Sequence, residues 1–280
     1  MFESIDDLLA RLLKHHYFVD RDLATAIFLG SRLGKPVLIE GEPGTGKSDL
    51  ARALAEVAAT VQFTLQCYAG IDQASALADR GVGNAELVKR PLLAALTHPG
   101  ERPAILLIDD VDRVDDEFAA DLFEMLRERR DILPGTGAIS ALRPPLTILT
   151  ADLPGRAPAA SDVYKRQVLR QVALYQRVSY PAFEREYAIV IGRVPLLSRA
   201  LAGQLCNFVA RMRRQGYVRS PGVGETIDWA RALAALHRTL LDPETIDQTL
   251  GCVLKEPADI SRFRQHPLSP NPRPLLDRVG

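Results

Sequence analysis

The chain of 280 residues holds only three cysteines, Cys67, Cys206 and Cys252, and they lie far apart. Scattered thiols of this number give neither a disulfide framework nor zinc-site spacing. They suit a reducing compartment, so a cytoplasmic location is expected. The five histidines show no ligand spacing, and His15-His16 reads as the end of a helix. An excess of one charge is also missing, because Lys+Arg and Asp+Glu each total 35. Without a basic footprint, nucleic acid is not an expected partner. No apolar run approaches the ~20 residues of a membrane span. The acidic opening, Met1–Asp7, lacks a signal-peptide pattern. The one tryptophan, Trp229, lies on an apolar helical face and reads as core. What is plentiful is hydrophobic residues, at 47%, which supports a sizeable core, and 280 residues are enough for one large domain or two smaller ones.

The most informative stretch is Gly41-Glu42-Pro43-Gly44-Thr45-Gly46-Lys47-Ser48, which fits the phosphate-loop pattern G-x-x-x-x-G-K-[ST]. Glycines let the backbone bend so that several N–H groups face an anion without a Cβ in the way. Lys47 is the residue for the β- and γ-phosphates of ATP, and the Ser48 hydroxyl is a ligand for Mg²⁺. Pro36–Glu40 before the loop reads as a buried strand, and Leu50, Ala51, Leu54, Ala55, Val57 and Ala58 after it recur at helical spacing. Strand, glycine loop and helix are the context that the motif needs, and the start of the helix favours an anion.

A second element fits the first. Ala104–Ile108 is an apolar strand that ends in Asp109-Asp110. In open α/β sheets, ligands sit at the carboxyl ends of strands. That puts Asp109 in the Mg²⁺ shell and Asp110 where it can orient or deprotonate an attacking water. The alternative is a strand followed by an acidic helix cap, since Asp115-Asp116-Glu117 reads as a helix start.

Along the chain, helices are expected over 3–14 and 21–33, the second capped by Asp20. Strands are expected at 36–40, 62–66, 104–110, 146–150 and 174–180, helices over 72–79, 84–97 and 115–129, and a hairpin over 131–139. Strands alternating with helices predict an α/β fold with a parallel sheet covered by helices. Beyond Pro181 only helices are expected, over 183–193, 196–214, 223–238 and 243–254. This gives a nucleotide-binding core over 1–181, a small all-helical lid over 182–265 and a disordered proline-rich tail over 266–280.

Across roughly residues 15–255 the chain resembles the MoxR-type AAA+ ATPases, most closely the branch with the CoxD, NorQ and CbbQ proteins. Besides Gly41–Ser48 and Leu106–Arg113, the resemblance rests on Tyr17-Phe18-Val19-Asp20, Leu65-Gln66-Cys67-Tyr68 and Arg90-Pro91-Leu92-Leu93. It also rests on Tyr180–Glu186 and Pro221–Ala230. It implies a three-layer P-loop core with sheet order 5-1-4-3-2, a helical lid and a homo-hexameric ring. It further implies a chaperone-like motor that matures or activates a metalloenzyme client, with a von Willebrand factor A domain partner. The 131–139 hairpin resembles the insertion that these proteins carry before their sensor strand.

The chain departs from that pattern in several places. Asp110 stands where the family has Glu, and Asp152 stands where a neutral sensor, commonly Asn, is usual. Gln171 occupies the place of an arginine that reaches the neighbouring subunit, which leaves Arg170 beside it for that role. The sensor arginine that many AAA+ proteins carry in the lid has no match near Gly222, and the stretch from Gly70 to Arg90, which contributes to the ring pore in related proteins, is short. Asp162-Val163-Tyr164-Lys165-Arg166-Gln167 is the translation of GATGTGTATAAGAGACAG, the transposon end used in sequencing adapters. It is either adapter-derived or an exposed basic loop, and sequencing the native locus separates the two. Three functions stay open: an ATP-driven motor, a nucleotide-binding switch with weak or no hydrolysis, and a small-molecule kinase. The helical region after the sheet and the lack of an acceptor-substrate motif speak against the kinase.

Overall fold

The computed structural model describes residues 1–71, 78–80, 87–89, 91–128, 131–133, 137–139, 143–153 and 160–270. It divides into two units: Met1–Gly41 with Lys47–Val178, and Glu42–Gly46 with Ser179–Gly280.

The first unit is built on a five-stranded sheet. Its strands are β1 (Val37–Gly41), β2 (Gln62–Gln66), β5 (Ile105–Asp109), β8 (Leu146–Asp152) and β9 (Leu174–Val178), in the order β2-β5-β8-β1-β9. All neighbours pair in parallel, so this is the expected 5-1-4-3-2 order counted over the core strands. Strand alternation assigns the two faces. Leu38, Leu106, Ile108 and Leu149 pack with Leu92, Leu93, Phe118, Leu122 and Leu169. Val37, Ile39, Ile105, Leu107 and Ile148 pack with Leu8, Leu12, Ile27, Leu50 and Leu54. Burying each of these large aliphatic side chains contributes about 1.5–3 kcal/mol.

The second of these layers is formed by α1 (Ile5–Lys14), α2 (Arg21–Leu33) and α3 (Lys47–Ala58). Asp20 caps α2, accepting from the Leu23 N–H at 2.8 Å, and Gly34 ends it in the left-handed region. The other layer holds α4 (Pro91–Leu96), α5 (Asp116–Glu128) and α6 (Ala160–Val172). Two helical expectations are corrected in part here. Ala78–Arg80 (β3) and Leu87–Lys89 (β4) pair as antiparallel strands, and among the described residues of the 84–97 stretch only Pro91–Leu96 is helical. The intervening Gly81-Val82-Gly83 carries two glycines, which disfavour a helix. The rest of the 72–79 helix, residues 72–77, lies outside the described residues. The later hairpin forms as expected from β6 (Asp131–Leu133) and β7 (Gly137–Ile139).

The segment 162–167 is not an exposed loop, because it lies within α6. The buried Lys165 donates to the Val114 carbonyl at 3.0 Å, and Arg166 pairs with the buried Glu40. Sequencing the native locus therefore bears directly on which cation Glu40 meets in the cell.

Among the described residues, the second unit has helices and no strand. It contains α7 (Phe183–Arg193), α8 (Arg199–Met212), α9 (Val223–Ala235), α10 (Pro243–Thr249) and α11 (Pro257–Gln265). Trp229 is fully buried, edge-on to Phe208 at 5.8 Å, and its indole N–H donates to Thr249 at 2.7 Å. Leu268 packs against this core, and the Ser269 carbonyl accepts from Arg211 at 2.7 Å. These two residues belong to the tail expected over 266–280, of which residues 271–280 lie outside the described residues. Among the described residues, no helix is long and apolar enough to cross a membrane.

Candidate functional site

Parallel pairing brings four strand ends to one edge of the sheet. Gly41 is opposite Asp152, and Gln66 is opposite Asp109. Gly41 ends β1 and α3 starts at Lys47, so the phosphate-loop motif lies between a strand and a helix. A Cβ at position 41 would lie 2.4 Å from the Val178 carbonyl oxygen, so the close approach of β9 requires glycine there. Within the loop, Gly44 and Gly46 take φ of 75° and 91°. Thr45 Oγ1 donates to the Glu42 carbonyl at 2.8 Å, and Tyr180 donates to the Pro43 carbonyl at 3.0 Å.

Lys47 is buried, and its ammonium donates to the Gly41 carbonyl at 3.0 Å and to Asp152 Oδ1 at 2.9 Å. Ser48 Oγ donates to Asp109 Oδ1 at 2.7 Å. Thr150 Oγ1 donates to that same oxygen. The Ser48 hydroxyl and the Asp109 carboxylate are hard oxygen donors in contact, the donor chemistry that Mg²⁺ takes. Among the described residues, no group of three His, Cys, Asp or Glu side chains is placed to hold a metal. Mg²⁺ bound with a nucleotide needs none, since one or two protein oxygens complement phosphate and water.

Asp110 lies beyond the end of β5 in the left-handed region, at φ 57° and ψ 45°, which aspartate tolerates better than most residues. Its N–H donates to Thr150 Oγ1 at 3.0 Å, and its Oδ2 accepts from Gln66 Nε2 at 3.1 Å. Burial pushes its carboxyl above the ordinary range; Arg113 pulls it down, while Asp109, Asp152 and Asp112 push it further up. A raised carboxyl is a better proton acceptor. Arg113 spans two acids, at 3.5 Å from Asp110 and 3.8 Å from Asp152. Asp152 therefore faces cations on two sides.

Arg170 points to β1 of its own unit. Its guanidinium donates to Glu40 Oε2 at 2.6 Å and lies over the Tyr175 ring at 4.6 Å. Tyr175 and Arg166 also engage Glu40. Burial raises the Glu40 carboxyl, but hydrogen bonds from Arg170 and Tyr175 and the charge of Arg166 outweigh it and hold the group below its usual range. Cys67, whose N–H donates to the Asp109 carbonyl at 2.9 Å, is buried, and its thiol is pushed up to about 12 by burial and by the charge of Asp109, which disfavours the thiolate.

The structure thus brings Lys47, Ser48, Asp109, Asp110 and Asp152 together on one sheet edge and ties Arg170 to Glu40. Sequence reasoning missed Gln66, Thr150 and Glu40 as partners of these groups. Gln66 lies opposite Asp109 through strand register, which the residue pattern alone does not carry.

No curated protein matches the sequence. Among solved structures, the chain is similar to the Thermotoga maritima RuvB Holliday junction branch migration motor. That match has 16% identity and a TM-score of 0.48, covering 89% of this chain and 71% of that one. An arginine-to-alanine variant of the same motor matches at 17% identity and a TM-score of 0.49, covering 88% of this chain and 70% of that one. The model of the AAA domain, dynein-related subfamily, matches residues 36–183, just over half of the chain, and the chain belongs to that family.

Proposed function

We propose that this chain binds Mg-ATP at Gly41–Ser48 and hydrolyses it slowly, as a chaperone-like motor of the MoxR type. The observation that carries the reading is the 2.7 Å contact of Ser48 with Asp109 beside the buried Lys47. Gly41, Glu42, Pro43, Gly44, Thr45 and Gly46 supply the backbone, Lys47 the cation, and Ser48 and Asp109 the Mg²⁺ ligands. Bound Mg²⁺ would offset phosphate charge. Asp110 orients or deprotonates water. Arg170 is the residue for reaching a neighbouring subunit in a homo-hexamer, and Glu40 keeps Arg166 as a partner when it leaves. A metalloenzyme client and a von Willebrand factor A domain partner follow from the resemblance alone.

A second reading, a nucleotide-holding switch, is favoured by the Lys47–Asp152 ion pair, which neutralises the cation that phosphate needs. Steady-state ATPase assay with sizing under saturating Mg-ATP separates the two. Turnover that rises with ring formation supports the motor. Binding without turnover supports the switch, and a monomer that does not bind ATP removes both.

The ion pair has a direct consequence. Asp152→Asn keeps the shape but frees the Lys47 charge for phosphate. Fluorescent-analogue titration should show ATP affinity rising about tenfold, the equivalent of about 1.4 kcal/mol. An affinity that is flat or weaker would mean that Asp152 orients Lys47 rather than competing for it.

A further inference from the structure

The loop residues Glu42–Gly46 pack as part of the helical unit rather than with the sheet. One contact within that unit is made by backbone alone: the Val223 N–H donates to the Gly44 carbonyl at 2.7 Å. Resting on the ATP-binding reading above, we infer that the Val223 N–H is the positioning group that sets the Gly44–Thr45 peptide for phosphate recognition.

In a trans peptide the C=O and the N–H point in opposite directions. Holding the Gly44 carbonyl on Val223 therefore turns the Thr45 N–H away from α9. If the plane flips, a carbonyl replaces that amide as the group offered to an anion. A cradle for phosphate needs the amide.

The anchor is rigid on the helix side. Arg213 forms a bidentate pair with the buried Glu186, at 2.6 and 2.7 Å, and donates to the Pro221 carbonyl at 2.7 Å. The same guanidinium lies over the Tyr180 ring at 4.4 Å, and Tyr180 holds the Pro43 carbonyl. Glu225 accepts from the Gly222 N–H at 3.1 Å. One arginine thus braces both the residue before Gly222 and the tyrosine that holds the residue before Gly44.

The approach is too close for any side chain at position 222. A Cβ there would lie 2.5 Å from Gly44 Cα and 2.6 Å from its carbonyl oxygen. A lid arginine at this position is sterically excluded. In this chain a main-chain N–H contacts the loop instead.

Val223 is the first residue of α9, where proline is favoured, and Gly222 before it is extended (ψ −179°), as a residue preceding proline must be. Val223→Pro therefore keeps the helix, removes the donor and puts Cδ against the Gly44 oxygen. Titration with a fluorescent ATP analogue should show affinity falling about tenfold, the value of one amide bond to a charged group. Val223→Ala, which keeps the N–H, should restore it. Trp229 emission reports whether the helical unit stays folded. If it shifts in Val223→Pro, Gly222→Ala decides the matter, because its Cβ displaces Gly44 while every donor remains. Wild-type affinity in folded Val223→Pro overturns the inference and leaves the ATP site standing. A wild-type protein that does not bind the analogue overturns both.

Discussion

Lys47→Ala should abolish detectable binding of fluorescent ATP analogues while the fold survives. Two losses add. The substitution removes the one cation of the phosphate loop and leaves Asp152, formerly at 2.9 Å, without its nearest positive partner. Arg113, at 3.8 Å and more than half exposed, screens Asp152 weakly. The phosphate then meets an unmatched carboxylate where it met an ammonium. Removing one partner of a buried pair costs about 3–5 kcal/mol of stability. The pair is buried on the lysine side only, with side-chain exposures of 6% and 25%, so the lower half of that range applies to stability. The double variant Lys47→Ala/Asp152→Asn should recover the melting temperature without recovering binding. Affinity unchanged in Lys47→Ala would remove Gly41–Ser48 as the nucleotide site.

What was legible in the sequence followed from local chemistry and from resemblance. The glycine loop and the apolar strand ending in Asp109 are written in consecutive residues, and the five core strands fall close to where they are expected. The strand order came from resemblance, since nothing in composition dictates β2-β5-β8-β1-β9. The partners were not legible. Gln66 meets Asp110 and Thr150 meets Asp109 because parallel strands align their ends, and register is a tertiary property. The β3–β4 hairpin was misread because its strands span three residues each, too few for a period to declare itself. Helix α11 was not expected because Pro257–Gln265 is mostly polar and buries only Asp259 and Phe263. Asp259 is buried to accept from the N–H groups of Val218 and Arg219, at 2.9 and 3.0 Å, a role that no hydrophobic pattern signals. Arg170 shows the same limit: the sequence offers a cation near the right position, and only the fold shows that Glu40 already holds it.

Asp110→Glu should raise kcat by about 10²-fold, because a misplacement of about 1 Å costs a catalytic group that much. Glutamate reaches one carbon–carbon bond further, about 1.5 Å. The present carboxylate is held back on its own strand edge by Gln66 at 3.1 Å and Arg113 at 3.5 Å. On the proposed role, its raised proton affinity, caused first by burial, would leave reach rather than basicity as what limits it. Lengthening the side chain addresses reach, the term that is short. Asp109, Ser48 and Lys47 are untouched, so the KM for ATP should stay within about twofold and the gain should appear in the transition state. The left-handed backbone at 110 sets a counter-cost, since glutamate adopts it less readily than aspartate, but the difference should stay below about 1 kcal/mol. That cost would show in the melting temperature and not in kcat. Single-turnover hydrolysis separates the chemical step from product release. If that step is flat or slower in Asp110→Glu while the fold is intact, Asp110 is no shortened base, and its role is to end β5 and lead into the acidic start of α5.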